Sequence, residues 1–414
     1  MFKQGWQYLL RWVPLAFLIG SAGGLIVWVL QHAVAFAYSI QGDHPLVYAC
    51  PIIAGVILGF VIHRIDPAAA GEGVPAYIVA VNQRGGYVRP RMFLCRFIGA
   101  MVTLGLHGSG GFVGPTVLVS SGVGGLASRV ARPVLHHLGF RKSDHRLAAI
   151  CGAGGAIGAL LHAPLGGGIF AVEVLYVASV EYEGFFPAIL ASAAGYFVHG
   201  ALNGQHLTPM HGGFSFSLSV APGLMLAAAT TGLLGAAFVL LYKQAFLLFQ
   251  KITRVQGLKT VVGGACCTAA GLIVGKEVMG TSLGTLDGLL SNSLSLPIGV
   301  ACLLIAGKMF STAGTIGSGC NAGLTLPVLV LGALAGDLIS TVGGVSAQGT
   351  HTAFVVTGIT AMLSAVMNVP IASAVIAIEF FGREYAVPAI LGSVIAFSIA
   401  RPQIIYEQAA GRKS

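Results

Sequence analysis

The sequence predicts an all-α integral membrane protein made of two related helical repeats with broken helices. Three observations predict it. Hydrophobic residues make up 56% of the 414 and charged residues only 8%, with a mean hydropathy of +0.86. A soluble chain needs about a quarter charged residues to cover its surface. A segment carrying a proline and a glutamate recurs at one fixed offset, and a Gly-Ser-Gly string precedes it both times.

Taken in order, apolar stretches cover residues 12–38, 45–63, 92–128, 147–202, 217–250, 261–275, 296–335 and 338–400. Polar breaks fall at 40–44, 64–73, 82–91, 129–146, 203–213, 251–260 and 276–295. Residues 147–172, 220–242 and 338–378 carry no charge, and about 20 apolar residues suffice for one crossing. The stretch from Trp12 is an ordinary first span, too long for a signal peptide and without a cleavage-like end. Two breaks are strongly basic. Arg84, Arg89 and Arg91 mark one; Arg129, Arg132, Arg141, Lys142 and Arg146 mark the other. Basic loops stay in the cytoplasm, so both are expected there, with the N- and C-termini. Residues 92–128 must then enter and leave by one side, as two helices of about 18 residues joined by the glycine-rich run 105–114.

The net charge of +9 would suggest nucleic acid in a soluble protein. Here the basic residues sit in short loops, so the expected partner is the bilayer of the inner cell membrane and not nucleic acid. Seven cysteines form no CxxC pair and indicate neither a metal site nor a disulfide framework. No nucleophile–base constellation or nucleotide loop appears, so neither an enzyme nor a cofactor is expected. Sixty glycines suit helices packed through small residues and broken helices along a polar path. One transmembrane domain is expected over 1–402, with repeats at about 12–202 and 217–402. Residues 403–414 are expected as a short cytoplasmic tail with no regulatory domain.

The duplication is explicit. Gly152 pairs with Gly358, Ala159 with Ala365, Pro164 with Pro370, Ala171 with Ala377 and Glu173 with Glu379, all 206 residues apart. A second echo sets Gly108-Ser109-Gly110 and Pro115 against Gly317-Ser318-Gly319 and Pro327. Duplication with interrupted helices at matching positions marks a transport fold whose site lies between the repeats. Glycine exposes backbone N–H groups, and a helix that starts just beyond presents its positive dipole end. Two such starts converging from the two halves can hold an anion without a full positive charge, and such weak binding suits fast transport.

These strings resemble those of the CLC chloride channel/transporter family. Gly71-Glu72-Gly73-Val74-Pro75 is similar to that family's G-S-G-I-P. Gly108-Ser109-Gly110-Gly111-Phe112-Val113-Gly114-Pro115 is similar to its G-S-x-G-R-E-G-P. Ala163-Pro164-Leu165 leads to Glu173-Val174, where the family has a Glu-Glu pair, and Gly323-Leu324-Thr325-Leu326-Pro327 stands for its G-x-F-x-P. Lys308 fits the second half, and Tyr385 lies near the family's pore tyrosine. The resemblance covers about residues 15–402 and implies two inverted (antiparallel) repeats with broken helices meeting at a central anion site, in a homodimer with one pore per subunit. It implies chloride as the default anion, no cofactor beyond that ion, and pore residues Glu72, Gly73, Ser109, Gly110, Gly111, Phe112, Val113, Gly114, Gly323, Leu324, Thr325 and Tyr385.

The departures from the family shape the expected function. Its external gating glutamate falls on Val113 and its internal proton glutamate on Val174. Valine carries no proton, so both halves of the family's proton route are missing, and passive, channel-like flow of small anions is expected. The pore serine falls on Glu72. An ionised carboxylate there repels an anion; a protonated one donates to it. A coupled antiporter using Glu72 as substitute gate, or a non-conducting scaffold or sensor plugged by it, are the alternatives. A solvated turn at the mouth is the plainer reading of Glu72. Glu173 and Glu379 read as structural caps at helix ends. His107 and His162 read as packing residues, and His136, His137 and His145 as solvated.

Overall fold

The computed structural model describes residues 2–42, 44–141, 143–177, 181–203, 213–252, 256–291, 294, 296–345, 347–403 and 405–409. Among them the architecture is all-α. The first repeat runs α1 (Phe2–Gln41), α2 (Cys50–Ile65), α3 (Gly73–Gln83), α4 (Pro90–Gly105), α5 (Val113–Leu135), α6 (Asp144–Leu161), α7 (Pro164–Glu173) and α8 (Phe185–Asn203). The second runs α9 (Ala221–Ile252), α10 (Gln256–Val274), α11 (Leu283–Leu290), α12 (Ile298–Gly317), α13 (Thr325–Val342), α14 (Gln348–Met367), α15 (Pro370–Phe381) and α16 (Ala386–Ala400). Nine stretches among the described residues are long and apolar enough to cross a membrane. Helix α1, at 40 residues, is about 60 Å long at 1.5 Å per residue, twice the hydrocarbon thickness.

Two of the uncharged runs, 147–172 and 338–378, are built on helices that lie inside the protein, whereas 220–242 on α9 exposes Met225, Leu226 and Leu233. Every residue of α14 from Ala353 to Met367 is buried, and α6 is buried almost throughout. A helix that is hydrophobic all round belongs in a core. These two repeat mates pack alike. A Cβ on Gly152 of α6 would fall 2.0 Å from the Ser120 carbonyl oxygen of α5, and one on Gly358 of α14 would fall 2.2 Å from that of Gly332 on α13. Both helices end on a left-handed residue, His162 (φ 51°) and Asn368 (φ 59°), which turns the chain into a proline-initiated half-helix, α7 or α15. The repeats are inverted, and their central strings meet antiparallel: Gly111 and Gly323 exchange backbone hydrogen bonds of 2.8 and 2.7 Å.

Several sequence expectations change. The break at 276–295 contains α11, and the gap between 64 and 91 contains α3; both helices are too short to stand out by hydropathy. Helix α5 continues through Arg129 and Arg132 to Leu135, because arginine is a good helix former at a helix C-terminus. His136 and His137 are exposed, but His145 is buried and shares a 2.9 Å hydrogen bond with Ser128. Lys142 lies outside the described residues.

Candidate functional site: a carboxylate at three helix N-termini

The site is built by backbone that only glycine allows to approach. Glu72 is the extended residue before α3 (φ −71°, ψ 148°), Phe112 precedes α5 and Leu324 precedes α13. A Cβ on Gly73 would sit 1.8 Å from the Gly114 carbonyl oxygen. One on Gly114 would sit 3.0 Å from Gly323 Cα and 3.2 Å from Glu72 Cγ. The N-termini of α3, α5 and α13 therefore touch, two from one repeat and one from the other. Each presents unsatisfied N–H groups and a positive dipole end. The three helix starts lower the cost of a negative charge at their meeting point, and Glu72 places a carboxyl there.

The Glu72 side chain is 5% exposed and makes no hydrogen bond to its own helix. Its Oε1 accepts from the Tyr406 hydroxyl at 2.7 Å. Among the described residues its Oε2 has no full hydrogen bond, although the Leu324 backbone N–H acts on the carboxylate and favours its ionised form. Glu72 stands in a connection, outside the spanning helices, and borders a cavity. Burial pushes its carboxyl up to about 7, against the opposing pull of the Tyr406 hydroxyl, the Leu324 N–H and the Arg96 charge. Burial and the neighbouring Glu72 hold the Tyr406 phenol well above its ordinary range, so Tyr406 remains a donor. Its hydroxyl also contacts Met367 Sδ at 3.0 Å, at the end of α14.

A cavity of about 500 Å³ leads from Glu72 to the basic face. Arg84, Arg89, Arg96 and Lys243 line it, with Glu407, Tyr242 and Tyr406. Arg89 pairs with Asp66 at 3.1 Å, and Lys243 pairs with Glu407 at 3.1 Å. The buried placement of Glu72 excludes a solvated turn.

Most sequence-derived site residues converge here. Gly73, Gly111, Phe112, Val113, Gly114, Gly323, Leu324 and Thr325 form the three helix starts and the crossing between them. The Thr325 hydroxyl is buried with no partner among the described residues. Ser109 stands one step behind: its hydroxyl bonds Thr312 across the repeats at 2.9 Å. Gly110 is also in the crossing and donates to Gly280 at 3.2 Å. Val174 is buried beyond the end of α7. Tyr385 lies elsewhere. Its ring stacks on Phe214 at 5.6 Å and meets Phe381 edge-on, in the turn between α15 and α16. The tyrosine on the carboxylate is Tyr406, from the segment read as tail; residues 405–409 fold back on α3. Sequence reasoning also passed over Arg96, whose signal was present: it precedes Lys308 by 212 residues, the offset of Gly111 and Gly323.

Two inverted repeats whose broken helices aim their N-termini at one buried point define a membrane transport protein with an anion-directed centre. The chain belongs to the voltage gated chloride channel family, whose profile matches residues 54–401. It is 28% identical to an uncharacterized protein of Methanocaldococcus jannaschii, over 96% of this chain and 95% of the other. It is 27% identical to the H(+)/Cl(-) exchange transporter ClcA of Vibrio cholerae, over 95% and 88%. A crystal structure of a CLC-type fluoride/proton antiporter shares the fold at a TM-score of 0.84 and 18% identity, covering 97% of this chain and 98% of that one.

Proposed function

We propose that this protein carries small inorganic anions passively across the inner membrane and that Glu72 is its gate. The burial of the Glu72 side chain where the starts of α3, α5 and α13 meet, with its carboxylate under the Tyr406 hydroxyl and beside the Leu324 N–H, carries the reading. An ionised carboxylate there already takes the place of an anion. A second negative charge about 4 Å away costs about 4 kcal/mol at an effective dielectric of 20. Conduction therefore requires Glu72 to be protonated, when it offers a donor, or to swing into the vestibule. Val113 and Val174, at the positions where the resemblance calls for proton-carrying glutamates, support uncoupled flow. The basic lining of the vestibule supports a cytoplasmic mouth that gathers anions. Chloride is the default cargo, with fluoride the natural second. The resemblance supports a homodimer with one pore in each subunit.

Reconstituted vesicles test this. A chloride gradient should drive anion flux without moving internal pH beyond leak, across a panel of halides and nitrate. Flux should rise as pH falls from about 8 to 5, spanning shifted carboxyl values. Glu72→Gln should be active with a flattened pH profile, and Glu72→Ser should bind halide. A second reading has support of its own: Glu72 borders the cavity and could shuttle protons through it. Stoichiometric proton movement against the chloride gradient would establish that coupled mechanism and end the passive one.

A further inference from the structure

The loop that presents Glu72 is clamped from both repeats. Arg96 on α4 donates from Nη1 to the Gly71 carbonyl at 2.8 Å and from Nη2 to that of Ala70 at 3.0 Å. Asn321 donates to the carbonyls of Ala69 and Gly71, and the Gly71 N–H donates to the Gly319 carbonyl at 2.8 Å. Gly71 needs its freedom here, at φ +77°. The Arg96 side chain is buried, yet no carboxylate among the described residues is in ion-pair contact with it. A buried cation in that state is costly unless something compensates it.

The second repeat supplies an internal control. Lys308 on α12 is equally buried, and its Nζ donates to the Gly280 carbonyl at 2.9 Å and to Ser282 Oγ at 2.7 Å. Ser282 is the residue before α11, as Glu72 is the residue before α3. Each repeat thus sets a buried cation beneath the loop that starts a helix. Where that residue is a hydroxyl, the cation bonds it directly. Where it is a carboxylate, the cation bonds the two carbonyls behind it and leaves the carboxylate facing the pore.

We propose that Arg96 is the fixed counter-charge of the Glu72 gate: it aims the carboxylate by holding Ala70 and Gly71, and its charge sets how readily Glu72 leaves its docked, ionised form. This rests on the gate reading above. The other groups facing Glu72 are two phenols, Tyr406 and Tyr242 of α9. Helices α5 and α13 bring backbone and Thr325 but no charge. Asp66, on the same loop, is engaged by Arg89. Arg96 borders the same cavity but is 3% exposed, whereas Arg84, Arg89, Lys243 and Glu407 stand out in it, where salt screens them.

The test is the pH dependence of chloride flux in vesicles. Arg96→Gln should move the acid-activation midpoint upward by about one pH unit, since a lost positive charge favours the neutral carboxyl. In the Glu72→Gln background it should move nothing. Arg96→Lys, which keeps the charge but not the forked donor, should hold the parent's midpoint at a lower maximal flux. The parent's own midpoint should stay fixed when an impermeant salt is raised, because a buried charge is poorly screened. A parent midpoint that follows salt, or an Arg96→Gln midpoint equal to the parent's, overturns the proposal and leaves the gate standing. A Glu72→Gln protein that keeps the parent's pH curve overturns the gate, and this proposal with it.

Discussion

Tyr406 donates its hydroxyl to Glu72 at 2.7 Å across 334 residues of sequence. The bond joins the last packed segment of the chain to the residue before α3 and closes the inner end of the helix-start cluster. It stabilises the ionised carboxylate, because a charged oxygen is the stronger acceptor for the phenol O–H. The carboxylate proposed as the gate is thus held by a residue from the opposite end of the chain.

Tyr406→Phe should open that closure. A hydrogen bond to a charged group is worth about 1.5–3 kcal/mol, and 1.36 kcal/mol is one pH unit. The flux midpoint should move upward by about one unit. Tyr385→Phe should leave it in place, since that ring packs on Phe214 and Phe381 away from the carboxylate. Flux across the pH range for both variants checks the assignment; a shift in Tyr385→Phe alone would reverse it.

Stability should depend on pH through Glu72. Its carboxyl binds a proton more tightly in the fold, at about 7, than at its ordinary 4.5. The stabilisation from protonation is fully present below about pH 4.5 and is lost as pH rises through about 7, a swing of about 3 kcal/mol. Apparent melting temperature in detergent should climb from pH 8 to pH 5 in the parent, and the climb should shrink in Glu72→Gln. Parallel curves for the two proteins would remove Glu72 from the linkage.

Glu173 and Glu379 cap each other's half-helix. Glu173 accepts from the N–H groups of Ile371 (3.0 Å) and Ala372 (2.8 Å) at the start of α15, and Glu379 accepts from Leu165 (2.9 Å) and Gly166 (2.7 Å) at the start of α7. Replacing either by Ala should cost about 1–2 kcal/mol, as for lost caps. The flux midpoint should not move. A changed midpoint with unchanged melting would instead make Glu173 part of the transport path.

Gly73→Ala should fail to yield folded protein, because its Cβ would lie 1.8 Å from a backbone carbonyl that cannot retreat. Gly284→Ala, with nothing within 4 Å of the added Cβ, should fold normally. Size-exclusion behaviour of the two extracted proteins reads the difference; a well-behaved Gly73→Ala would mean that α3 and α5 do not meet as closely as described.

Composition and repetition are local signals, and they determined a good deal. The scarcity of charge made the chain a membrane protein. The 206-residue offset paired Pro164 with Pro370 and Glu173 with Glu379, and the glycine strings located the helix starts around Gly111 and Gly323. The acid at position 72 was legible as the unusual group through the resemblance, because it falls where the family's string has a serine. Tertiary structure alone decided who meets whom. The family resemblance pointed to Tyr385, ahead of Pro388, and passed over Tyr406, which follows the last span; the fold brings the latter back onto α3. It also decided that Glu173 caps the other repeat's helix and that Arg96 grips the carbonyls just before Glu72. A hydrogen bond needs its partner within about 3 Å. No periodicity or propensity encodes which backbone, hundreds of residues away, the packing of the helices brings that near.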